Sequence, residues 1–388
     1  MIPTTLDRRT MLVSAGATAL AMGVAPRMAF ARAATDRRFV FIIQRGAADG
    51  LHIVAPTGDP AYAGHRGALA EELLAAPKLD GMFALHPALG TVSTLYGEGQ
   101  ALLAQAVASP YRERSHFDGQ NVLETGGASA YQLKDGWLNR MLALLPEEQA
   151  RAIAITATVP LALRGPQPVA SYAPSALPDA SDDLLARVAM LYEGDSQLHG
   201  LWSEALSTRE LTGDLAGDNG RNAAATGALA ARLLQPADGA RIAMIETGGW
   251  DTHAQQKGRL AANLRGLDAL VAALREGLGP AWADTIVLIA TEFGRTVAVN
   301  GTGGTDHGTA SAAMLLGGRV AGGRVLADWP GLAPGQLYEE RDLRPTMRLD
   351  ALIAGAVAGA YGIEPEQAMP GLFPNATGER AIAGLVAA

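Results

Sequence analysis

The sequence contains no cysteine. Disulfides, thiolate nucleophiles and thiolate-bound metals are therefore excluded, and any metal must be held by oxygen and nitrogen donors. Long apolar runs are lacking too: beyond the N-terminus no segment reaches the ~18 consecutive apolar residues of a membrane span. Positive charge is in the minority, with 31 Lys and Arg against 39 Asp and Glu. No basic face for a duplex is suggested, which argues against a nucleic-acid partner. What remains is 388 residues that are 48% apolar, with 46 Gly and 21 Pro. That composition belongs to a folded chain with many irregular connections. A chain without disulfides must rely on its core, and this length allows a large one.

Arg8-Arg9 precedes the mildly apolar stretch LVSAGATALAMGVA, which ends in Ala29-Phe30-Ala31, a small-x-small cleavage pattern. Residues 1–31 read as a twin-arginine export signal, with a buried N-terminal helix as the alternative. The reading implies the twin-arginine translocase as a partner during export, and a periplasmic or secreted location. That route carries proteins already folded, often with a cofactor aboard. Cleavage after Ala31 removes Arg8, Arg9, Arg27 and Asp7, leaving 28 basic and 38 acidic residues and a formal charge of −10.

The rest, 32–388, reads as a single α/β domain. Apolar runs at 39–50, 101–108, 152–158, 242–245, 284–290 and 310–316 predict buried strands. Helical patterns at 88–97, 135–145, 258–278 and 350–361 alternate with them. This is βαβ spacing and predicts a doubly wound, largely parallel sheet with helices on both faces. From 160 to 240 the pattern loosens into a Pro-rich, partly helical excursion, either a cap over a site or solvated elaboration.

Polar residues gather where the strands stop: Asp49; Ser115, His116 and Asp118; Glu246, Asp251 and His253; Glu292 and Arg295. In an open parallel sheet those ends converge on one crevice. Asp306 and His307 sit in a glycine-flanked loop away from any predicted C-terminal strand end. Carboxylates and imidazoles brought together repel one another unless protons or a cation neutralise them, so a divalent metal is expected. Each residue also has a plainer reading. Asp49 suits a turn, Asp251 a helix cap, and Glu292 an ion pair with Arg295. A metal-free hydrogen-bonded network would use the same residue types. Arg45 and Arg112 are available to hold an anionic group, and Trp250, Trp137 and Phe117 to stack on sugar rings.

The motifs LHPALG, SPYRERSHFDGQNVLETG, DGWLNR, GGWDTH, TEFGRT, GTDHG and the glycine-valine run at 317–325 resemble those of domain-of-unknown-function family 1501, twin-arginine-exported proteins distantly similar to the alkaline phosphatase and sulfatase superfamily. The resemblance covers nearly all of the chain after the signal. It implies an alkaline-phosphatase-like α/β core with a metal-binding crevice. Asp49 matches the first metal-binding aspartate of the superfamily, and Asp251 with His253 its Asp-and-His motif. Ser115, ahead of Glu124-Thr125-Gly126, matches the nucleophile, although the Pro-Ser-Arg that normally follows is missing. The usual later Asp-His pair is Glu292-Phe293 here; phenylalanine cannot bind a metal, and Asp306-His307 could supply the replacement.

The implied ligand set is Asp49, Asp251, His253, Glu292, Asp306 and His307 around Zn, Ca, Mg or Mn. Ser115 would attack, His116 or His307 would serve the departing alkoxide, and Arg45 or Arg112 would clamp the anion. Two functions follow. One is a metal-dependent hydrolase of phosphate or sulfate esters, on a small molecule or a polysaccharide. The other is a non-catalytic relative that binds or helps assemble an extracytoplasmic polymer.

Overall fold

The computed structural model describes residues 36–146, 150–173, 182–192, 195, 198–200, 202, 222–236 and 239–387. The predicted export signal and much of the 160–240 excursion lie outside them. The structure begins on β1 (Arg38–Gln44), whose seven residues are all buried. Its alternation decides the architecture, because successive side chains of a strand leave on opposite faces. Phe39, Phe41 and Ile43 enter one core with Trp137, Leu352 and Val357. Val40 and Ile42 enter the other with Leu264, Leu267 and Val271. Full burial of side chains like these contributes about 1.5–3 kcal/mol apiece. Helices therefore cover both faces: Trp137–Leu144, Leu349–Tyr361 and Pro365–Leu372 on the first, Gly90–Gly97, Ala223–Leu234 and Gln256–Leu278 on the second.

A small pair, β2 (Val54–Ala55) and β3 (Ala84–Leu85), stands apart from the main sheet. The main sheet is completed by β4 (Ala101–Ala108), β5 (Ala152–Ile155), β6 (Ala170–Ser171), β7 (Ile242–Thr247), β8 (Thr285–Thr291), β9 (Ser311–Leu316), β10 (Arg324–Leu326) and β11 (Met347–Arg348). Its order is β10-β4-β9-β8-β1-β7-β5-β6, with β11 also on β4. Every pairing is parallel except those of β9, which runs antiparallel to both β4 and β8. The expected doubly wound, largely parallel sheet is present, and the strands lie where the apolar runs put them. The reversal of β9 has one large consequence. The residues that precede it emerge at the same edge as those that follow β4, β8, β1 and β7, and five loops meet there.

Glycine permits the loops to interlock. A Cβ on Gly46 would sit 2.6 Å from the backbone nitrogen of Asp251, and one on Gly308 2.4 Å from the carbonyl carbon of Arg295. Neither distance is tolerable for a real side chain. No helix among the described residues is long and apolar enough to cross a membrane.

Candidate metal centre

His116, Asp251 and His307 each present a ligand atom within 4.8 Å of the others. His116 starts the helix His116–Thr125, within the polar run after β4. Asp251 comes four residues after β7, and His307 from the loop that the reversed β9 brings to this edge. His253 adds a further nitrogen: its Nε2 lies 3.0 Å from Asp251 Oδ1 and 3.0 Å from His307 Nε2. His307 Nε2 is 3.3 Å from Asp251 Oδ1, and His116 Nε2 is 3.5 Å from Asp251 Oδ2.

The opposite nitrogens settle the tautomers, since a carboxylate or carbonyl oxygen can only accept. His116 Nδ1 donates to Glu292 Oε1 at 2.8 Å, His253 Nδ1 to Asp306 Oδ1 at 2.9 Å, and His307 Nδ1 to the Arg114 carbonyl at 2.9 Å. Each neutral ring then turns an Nε2 lone pair toward Asp251. Two lone pairs 3.0 Å apart, as in His253 and His307, are tolerable only with a proton or a cation between them. His116 Nε2 is buried and makes no hydrogen bond. Imidazoles with Nδ1–H tied to oxygen and Nε2 free are the arrangement that divalent metals select. Ligands ~2.0–2.1 Å from a tetrahedral ion stand roughly 3.3 Å from one another, close to the spacings found here. The donor set fits a divalent transition metal.

Charge points the same way. Asp251, Glu292 and Asp306 are opposed within the cluster by Arg295, which is buried and donates to Asp251 Oδ1 at 2.6 Å. Burial works against ionisation of Asp251, but the bond and charge of Arg295 outweigh it and hold the pKa below the ordinary carboxylate value. Glu292 is fully buried; its bonds from His116, Gln120 and the Gly46 backbone overcome that burial and again lower its pKa. The Glu292 bond raises the pKa of His116, whereas burial lowers that of His307.

Other residues of the implied ligand set have protein partners of their own. Glu292 Oε1 accepts from Gly46 N, His116 and Gln120, and Oε2 from Thr291. It also does not pair with Arg295. Asp306 orients His253 and accepts from Asn300 at 3.1 Å. Asp49, with 0% exposure, lies one layer below, its carboxylate gripped by Arg66 and Gln256 and capping Leu51 N. A chain of hydrogen bonds still links it to the centre, from Gln256 through Thr305 to Arg295. Both arginines expected to clamp an anion have protein partners. Arg45 is taken up by Gln120, Glu124 and Glu246, and Arg112 by the carbonyls of Ser109 and Tyr111. Ser115 is the N-cap residue beside His116, and its hydroxyl makes no capping bond. Trp137 and Trp250 belong to the core, while Phe117 is 82% exposed.

A second cluster, His52, Glu72 and His86, also has metal-like spacing, yet its tautomers are wrong. Gln256 Nε2 donates to His52 Nδ1 at 3.1 Å, and Ala88 N to His86 Nδ1 at 3.1 Å. With Nδ1 accepting, each neutral ring carries its proton on Nε2, the atom a metal would need. His52 Nε2 instead meets Glu72 Oε1 at 3.2 Å. Burial lowers the pKa of His86 to about 4, so it stays neutral and structural.

These shifts give the metal-free protein a defined pH response. The folded-state pKa of Asp49 is depressed: burial opposes this, but Arg66 prevails. Glu292 is depressed as well. Their stabilisation is present above the unfolded values of about 4 and is lost as pH falls through the folded ones. His116 is raised, so its contribution is present below ~6.5 and fades as pH climbs through its folded pKa. Melting temperature of chelator-treated protein should therefore drop steeply below about pH 4 and mildly above neutrality. A flat profile from pH 3 to 6 would contradict the buried carboxylate pairs.

Residues 36–367 match the family model described as "Protein of unknown function (DUF1501)". No curated protein matches the chain. Among solved structures, the chain is similar to the C-terminal periplasmic domain of EcEptC from Escherichia coli, at 11% identity and TM-score 0.39 over 90% of both chains. The same domain in complex with Zn matches at 10% identity and TM-score 0.34 over 73% of each. Ps i-CgsB in complex with k-i-k-neocarrahexaose matches at 10% identity and TM-score 0.37, over 86% of this chain and 74% of that one. With its mixed α/β sheet and a family match spanning 36–367, this chain belongs to the DUF1501 family.

Proposed function

We propose that the chain is a divalent-metal-dependent hydrolase of phosphate or sulfate esters that works outside the cytoplasm. The observation that carries this is the convergence of three imidazole Nε2 atoms on Asp251, each ring held through Nδ1 by an oxygen acceptor. His116, His253, His307 and Asp251 would hold the ion. Three nitrogens and one carboxylate favour zinc or a neighbouring transition metal over Ca or Mg, which prefer oxygen. When bound, such an ion supplies a positive charge at the ester oxygens and lowers the pKa of an adjacent hydroxyl or water.

The chain's own groups would do the rest. The Ser115 hydroxyl, at the N-terminus of a ten-residue helix, stands next to His116. The unpaired backbone N–H groups of a first helical turn favour an anion there. Glu292 and Asp306 would keep the rings oriented as charge moves. The export reading is carried by the Arg8-Arg9 signal pattern, with the translocase as transient partner and a small ester or polysaccharide as substrate.

A metal-loaded binding protein is the competing function, and one observation favours it: Arg45 and Arg112 are both occupied, which leaves neither to grip a tetrahedral anion. Turnover of aryl phosphate and aryl sulfate by zinc-loaded protein separates the two. Hydrolysis that disappears on chelation, and falls ~10²-fold or more in Ser115→Ala, is the expected result. Zinc binding without turnover of either ester would favour the binder, and full activity in Ser115→Ala would remove Ser115 as nucleophile.

A further inference from the structure

Among the described residues, left-handed backbone at non-glycine positions is uncommon, and three cases are Arg114 (φ 62°), Glu339 (φ 52°) and Glu340 (φ 57°); Arg114 bonds both Glu339 and His307. Glu339 and Glu340 are the central residues of a tight turn: the Tyr338 carbonyl accepts from Arg341 N at 3.2 Å and from Asp342 N at 2.9 Å. Positive φ at both central positions is the hairpin pattern that ordinarily takes Asn-Gly, because a Cβ is strained there. Two glutamates are a poor local choice. Strain at non-glycine positions persists where the surroundings enforce it, and here the surroundings identify themselves.

The Glu339 carboxylate accepts from Arg114 Nη2, and Asp342 Oδ2 accepts from Arg114 Nε at 2.9 Å. Asp342 is fully buried and is also held by Thr309 Oγ1 at 2.9 Å. From the same turn, Arg341 Nη2 donates to the His307 carbonyl at 2.6 Å. Arg114 in turn offers its own carbonyl to His307 Nδ1 at 2.9 Å. His307 is thus held at its ring and at its backbone by a single structure.

We propose that the turn at 338–342 is a clasp that positions His307: Glu339 and Asp342 fix the Arg114 guanidinium, and Arg114 then aims its carbonyl at Nδ1, leaving Nε2 as the lone pair. Glu339 and Arg114 are positioning residues that touch neither metal nor substrate. This rests on the metal-centre reading above. The plainer alternative is a surface ion pair that merely closes the turn.

The test compares wild type, Glu339→Gln, Arg114→Gln and, as a control on the turn itself, Glu340→Gly. Two quantities are read: zinc affinity by competition with a chromophoric chelator, and the His307 Nδ1–H signal in metal-free, ¹⁵N-histidine-labelled protein. Glu339→Gln and Arg114→Gln should each weaken zinc binding about 10–100-fold and broaden or abolish the Nδ1–H signal. Glu340→Gly should match wild type within about twofold in affinity and keep the signal. Circular dichroism identifies any variant that has lost its fold, and Glu339→Gln, the milder change, then decides. An Nδ1–H signal unchanged in both variants, with unchanged affinity, overturns the clasp. If wild type binds no zinc, the metal-centre reading fails, and the Nδ1–H signal alone decides the clasp: loss in the variants supports it, persistence overturns it.

Discussion

Replacing His307 by alanine lowers zinc affinity by on the order of a hundredfold or more. Protein zinc sites bind with about 10–16 kcal/mol in all, so one ligand in four accounts for roughly 3 kcal/mol, and removing it also unties the position of its neighbours. Among the imidazoles His307 touches every other member of the cluster: its Nε2 faces both His253 and Asp251, and its ring packs edge-on against His116 at 4.3 Å between centroids. Stability of the metal-free variant should fall by only about 1 kcal/mol, because the half-buried imidazole gives up one hydrogen bond, from Nδ1 to the Arg114 carbonyl. Isothermal titration of stripped wild type and His307→Ala reads both effects. Equal affinity in the two proteins would place the ion elsewhere.

Asp49→Asn has the second large effect, and it separates two roles for one residue. The family resemblance makes Asp49 a metal ligand. The structure makes it the anionic half of a buried pair with Arg66, both side chains at 1% exposure or less. Breaking such a pair leaves an uncompensated buried charge and costs about 3–5 kcal/mol, a large fraction of the ~5–15 kcal/mol that holds a typical domain together. The asparagine amide would also turn a donor toward Arg66 or Gln256. Denaturant unfolding at neutral pH should show the unfolding free energy falling by that amount, as a lower midpoint at unchanged slope, while zinc stoichiometry at low temperature stays at one per chain. Lost zinc with undiminished stability would restore Asp49 to the ligand set.

Much of the fold was legible because its signals are local. The run Phe39–Ile43, apolar on both faces, can only be a strand covered on both sides, and the stripe over 258–278 predicts its covering helix. The crevice was legible as well, since Asp251, His253 and His116 follow strands whose ends must converge. The roles within it were not. A sequence shows that Glu292 and His116 are both present but not that Oε1 meets Nδ1, and that single contact occupies the carboxylate oxygen and turns the imidazole Nε2 toward Asp251. The partner of Asp49 is hidden for a related reason: Arg66 lies 17 residues away on a short helix, Tyr62–Arg66, that no motif marks. His307 was placed away from the strand ends because nothing in the apolar run at 310–316 shows its direction. Only the reversed pairing of β9 carries the preceding loop to this edge. The positive backbone angles of Arg114, Glu339 and Glu340 leave no composition signal either, since residues that tolerate them are normally Gly or Asn.

The most direct measurement is a zinc titration of metal-stripped protein, repeated with Asp251→Ala. One ion per chain at micromolar affinity or better, reduced at least ~100-fold by the substitution, is the predicted result. Absence of saturable binding in the wild type, or an isotherm that Asp251→Ala leaves unchanged, would contradict the convergence of His116, His253 and His307 on Asp251 as a metal centre.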